Sequence, residues 1–76
     1  MNDHPHITAD PQVMTGMPCI RGTRVTVANV VRQVAEGRTT DEICRDYPYL
    51  TRDAIRAALE FAADVAASQT YELLAS

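Results

Sequence analysis

Two glycines, a proline and two arginines fall within the ten residues Gly16-Met17-Pro18-Cys19-Ile20-Arg21-Gly22-Thr23-Arg24-Val25, directly before a run with helical spacing. Glycine reaches backbone angles with φ > 0, and proline fixes φ near −65° and removes a donor. Such a stretch is built from turns joining short extended pieces and excludes helix. The chain beyond Val25 carries helix signals throughout. A turn-rich N-terminal arm ahead of about three helices describes a small binding module rather than an enzyme.

The arm reads as a small hairpin. Ile7-Thr8-Ala9 is extended and ends at the turn opener Asp10-Pro11, Thr15-Gly16 makes a second turn, and Pro18-Cys19-Ile20 is extended again before Arg21-Gly22. Thr26 then serves as an N-cap for a first helix, with Val27, Val30, Val31 and Val34 on one face and Gly37 as the stop. A strand would put Asn29 and Gln33 on the same face as Val27 and Val31, so helix wins over the valines' modest propensity. Thr39 and Glu42 have capping-box spacing for a second, short helix, which Pro48 ends by biasing Tyr47 away from helical angles. Thr51 caps a third helix, with Asp53 in its first turn, Ile55, Ala58, Leu59, Ala62 and Ala66 as its apolar face, and an end near Ser68. The expected division is a flexible tail over residues 1–6, a domain over 7–69 whose arm spans 7–25, and a C-terminal segment over 70–76.

The 76 residues allow one domain, and a domain this small buries only about 60% of the surface its unfolded chain exposes. Marginal stability makes a homodimer or a partner the natural way to complete burial. The Met-Asn-Asp-His-Pro-His start carries no signal peptide and there is no run of about 20 apolar residues, so a cytoplasmic protein away from membranes is expected. Cys19 and Cys44 fit reduced thiols, with Cys44 a small buried hydrophobe.

All seven basic residues are arginine, against ten acids, for a net charge of −3. Arginine suits planar recognition of phosphate or carboxylate, although an arginine-biased coding composition gives the same count. Residues 39–76 hold three arginines against seven acids, which is not a broad nucleic-acid footprint.

The second helix, the connection Tyr47 to Leu50 and the third helix have the proportions of a helix-turn-helix, whose second helix reads the major groove with its N-terminal residues. Thr51, Arg52 and Arg56 stand there, and Arg21 is the arm residue suited to an outside contact. A plain three-helix bundle has the same spacing. Arg45 with Asp41, Arg32 with Glu36 and Arg56 with Glu60 are spaced as solvated i, i+4 pairs, which leaves Arg21, Arg24, Arg38 and Arg52 without a local acid. Arg24 is expected to bridge the arm to an acid or a helix C-terminus. His4 and His6 lie in the expected tail and share no ligand spacing with the cysteines, so no metal, cofactor or catalytic residue is expected. Tyr71, Leu73 and Leu74 form a terminal apolar cluster suited to self-packing, homodimerisation or a partner.

Ile7-Thr8-Ala9-Asp10-Pro11, the Gly-x-Pro-x-Ile-x-Gly-Thr-Arg core at 16–24, Gly37 and Tyr47-Pro48-Tyr49-Leu50-Thr51 together resemble the bacterial domain-of-unknown-function family 433 (DUF433) from about Ile7 to Ala66. The resemblance implies a mainly α fold: a three-helix, homeodomain-like helix-turn-helix bundle with a short N-terminal β-arm. It further implies an antitoxin of a type II toxin–antitoxin pair that occludes a PIN-like ribonuclease and represses its own operator DNA. A stand-alone DNA-binding regulator and a dimeric interaction module without DNA binding are the alternatives.

Overall fold

Threonine starts each of the three helices. The hydroxyl oxygen of Thr26 accepts from the Asn29 amide (3.0 Å), that of Thr39 from Glu42 (3.1 Å) and that of Thr51 from Ala54 (3.1 Å). Each bond satisfies an amide that the first helical turn leaves without a partner. A computed structural model describes residues 4–69, with β1 at Ile7–Thr8, β2 at Cys19–Ile20, α1 at Val27–Ala35, α2 at Thr40–Asp46 and α3 at Arg52–Ala67. The capping box at Thr39 is complete, because the Glu42 carboxylate accepts from the Thr39 amide at 2.8 Å. Gly37, at φ 91°, donates to Val34 and Arg38 donates to Gln33, the paired bonds of a Schellman stop.

The arm is an antiparallel pair with Ile7 opposite Ile20 and Thr8 opposite Cys19, extended by a bridge from Cys19 to Thr26. Between the strands a single 3-10 turn at Met14–Gly16 has positive φ at Met14 (49°), Thr15 (54°) and Gly16 (85°). Glycine takes this region freely, whereas a β-branched threonine there is strained.

The core joins both parts. Val30, Ile43 and Ile55 are fully buried, with Ile20 and Val25 entering from the arm and Leu50 from the connection between α2 and α3. Each such side chain contributes roughly 1.5–3 kcal/mol. The apolar faces read from spacing hold in their centres and fail at their ends. Val34 is 38% exposed, and Ala66 is exposed, whereas Val30 and Ala58 at the helix centres are fully buried.

Residues 4–6, expected within the tail, make defined contacts. His4 Nε2 lies 2.7 Å from Asp64 Oδ2 on α3, and its ring meets Phe61 edge-on at a centroid distance of 5.3 Å. Arg21 Nε donates to the Pro5 carbonyl and the Arg21 amide to that of His6, both at 2.7 Å. The physical reason is burial: the His4 side chain is 12% exposed, wedged between the arm and an aromatic side chain.

Candidate functional site

Arg52 and Arg56 stand one turn apart on α3, both exposed, and share a shallow depression with Thr40 of α2. The sequence leaves Arg52 without an acid, yet its guanidinium pairs with Asp41 across the α2–α3 joint. Asp41 is therefore engaged by Arg52, not by Arg45 as i, i+4 spacing suggests. Arg38, also expected unpaired, binds Asp46 and donates to the Glu42 carbonyl at 3.3 Å, which straps it along α2. Among the described residues Arg32, Arg45 and Arg56 form no ion pair, so the three expected i, i+4 pairs give way to one pair along α2 and one across the α2–α3 joint. Long side chains reach between elements here because α2 is short and the joint is tight.

Thr51 is exposed, but its hydroxyl oxygen is occupied as the α3 cap. On its other side Arg56 borders a second depression with His6, Asp53 and Glu60, so acids flank it. Arg21 stays on the arm, hydrogen-bonded to the Pro5 and His6 carbonyls, and His6 in turn lines the depression beside Arg56. The structure thus gathers Arg52 and Arg56, spends Thr51 on a cap, and holds Arg21 by the backbone of residues 5 and 6. Tyr71, Leu73 and Leu74 lie outside the described residues. The Thr39 amide and hydroxyl hold the Glu42 carboxyl below its ordinary value of 4.5, with the backbone bond the larger cause.

Two further surfaces have no counterpart in the sequence pattern. Asp10 and Arg24 line a cleft of about 380 Å3 formed by the arm's own turns, together with Thr8, Gly22 and Thr23. Arg24 is exposed and, among the described residues, bridges to no acid or helix end, contrary to expectation. The second is an apolar groove between α1 and α3. Its walls come from elements more than twenty residues apart, which no local pattern reveals. Among the described residues no three of His, Cys, Asp or Glu converge as a metal would require, and no helix is long and apolar enough to cross a membrane.

Three capped helices with a two-stranded arm docked on the third define a small helical bundle of the helix-turn-helix order. The chain belongs to the family described as protein of unknown function, DUF433, which it matches over residues 7–62. A crystal structure of a DUF433 member protein from Anabaena variabilis superposes with a TM-score of 0.75 at 30% identity, covering 78% of this chain and 58% of that one. The uncharacterized protein y4eO of Sinorhizobium fredii is 36% identical over 56 residues, which are 74% of this chain and 25% of the relative. The chain thus spans about a quarter of that relative's length.

Proposed function

We propose that this chain is the antitoxin of a type II toxin–antitoxin pair, a non-catalytic cytoplasmic protein that binds and neutralises a PIN-like ribonuclease. The observation that carries the reading is the charge balance at the α2–α3 joint. Asp41 neutralises Arg52, and Asp53 and Glu60 flank Arg56, so a face of helix-turn-helix order is charge-compensated where a phosphate backbone would need cations. An acid-bearing surface suits a partner that grips RNA through basic groups. Tyr71, Leu73 and Leu74 supply apolar contact to that partner, and a homodimer completes the burial that a 76-residue domain leaves undone.

The second reading is operator DNA binding through Arg21, Thr51, Arg52 and Arg56, either as autorepressor or as stand-alone regulator. Arg52 and Arg56 sharing one depression favours it. Co-expression with the ribonuclease encoded alongside tests the first reading: restored growth and a stoichiometric complex are expected. A toxic ribonuclease that neither binds the chain nor is relieved by it would overturn it. Affinity for promoter DNA that falls steeply with salt, and falls again in the Arg52→Ala, Arg56→Ala double variant, would establish the second.

A further inference from the structure

We propose that the apolar groove between α1 and α3 is the face on which a second copy of this chain docks, in a two-fold dimer. The inference rests on the homodimer in the reading above, and not on the ribonuclease. The groove has a volume of about 600 Å3, with Val31 of α1 and Phe61, Val65 and Ala66 of α3 as walls and Met17 of the arm at its edge. The depressions beside Arg24 and Arg56 are lined in good part by charged and hydroxyl groups, so this one differs from them in kind. A contiguous apolar patch on a small domain marks a surface that something covers.

Charge chooses the occupant. The chain carries a net charge of −3, so two copies repel unless they meet on a face without surplus acid. Asp53, Glu60 and Asp64 of α3 all stay off the groove wall, where Arg32 is the one charged side chain. Glu36 stands one turn beyond Arg32 on the same side of α1, next to Ala35, which lines the groove. Both are exposed, and among the described residues neither has an ion-pair partner, not even in the other. A two-fold contact is self-complementary: what one residue meets on the second copy, its counterpart meets in return. One free cation and one free carboxylate a turn apart satisfy that condition. When the two α1 helices run antiparallel, Arg32 of each copy faces Glu36 of the other. A partner of another kind needs to match Arg32 alone and leaves Glu36 without a role. Met17, 42% exposed at the groove's edge, adds a flexible apolar side chain suited to filling the groove of the second copy.

The test is the state of association of the full chain, read by sedimentation equilibrium. The parent is expected to be a dimer at micromolar concentration. Ala66→Glu, at an exposed position on the groove wall, should weaken the dimer at least about tenfold while the Ile43 and Ile55 methyl shifts stay in place. Arg32→Glu and Glu36→Arg should each weaken it likewise, since each sets like charges against one another twice in the dimer. Glu36→Arg also puts a cation at a helix C-terminus, where it favours the fold, so its dissociation is no sign of unfolding. An equimolar mixture of those two variants should recover a dimer with one copy of each, because the substituted side chains then face opposite charges again. A parent chain that stays monomeric at millimolar concentration, a dimer indifferent to Ala66→Glu, or charge variants that do not recombine would overturn the proposal. The ribonuclease assay reads the other half separately: a chain that dimerises here and fails to neutralise refutes the antitoxin reading and leaves this face standing.

Discussion

Residues 26–67 carry their instructions at close range: a threonine hydroxyl three residues from the amide it satisfies, a glycine at the end of α1, a proline just past α2. Residues 4–25 carry few of that kind. Their strands are two residues long, and they are held by contacts such as Arg21 to Pro5, sixteen positions apart, and His4 to Asp64, sixty apart. A two-stranded ribbon is marginal alone and needs a helix to pack on. The helical part is specified by the chain, and the arm by the helical part.

The largest test is at their shared centre. Ile55 is fully buried in the cluster that includes Ile20 of the arm, so Ile55→Ala should cost roughly 2–5 kcal/mol. Urea unfolding should shift both regions together; arm signals that disappear first in the parent protein would break the idea of one cooperative unit. Thr39→Ala removes one half of the capping box and should cost about 1 kcal/mol, read as a lower urea midpoint with α2 amides exchanging faster than those of β1. His4→Ala acts on the opposite side of the comparison. A loss of about 0.5–1.5 kcal/mol is expected, with faster exchange at the Ile7 and Ile20 amides and unchanged α2 protection. Equal effects on α2 and the arm would show that the clasp is not local to the arm.

The smallest effect is a pH dependence. The Glu42 carboxyl is held below 4.5, so its contribution is present above that value and lost as pH falls through the lower folded-state value. Glu42→Gln keeps an acceptor for the Thr39 amide and removes the titration. Its acid limb should be flatter than the parent's below pH 4.5, and identical limbs would sink the assignment.

The same contrast explains what could be read from the sequence. All three helix starts were legible because an N-cap is a matter of adjacent residues, and Pro48 made the end of α2 equally plain. The Gly16 to Val25 stretch announced turns but not what they pack against. Arg52 with Asp41 and Arg38 with Asp46 were missed because i, i+4 spacing gives Asp41 to Arg45 and gives Arg38 and Arg52 no acid, and the reach of Arg52 onto α2 shows only in the folded joint. The groove was invisible because Val31 falls on the apolar face of one helix and Ala62 and Ala66 on that of another, and spacing within a helix does not say how two faces meet. The charge compensation that turns the proposed function toward a protein partner joins one pair that only the fold shows, Asp41 with Arg52, to two acids that already stand near Arg56 in sequence, Asp53 and Glu60.

One consequence concerns force. His4 and Asp64 lie near opposite ends of the described chain and touch at 2.7 Å. Tension applied through residues 4 and 64 therefore loads this clasp before it stretches the core. The segment that carries His4 would lift from α3 as a first mechanical event, at a load set by one hydrogen bond and one ring contact, leaving the core that Ile20 and Val25 share with the three helices to yield afterwards.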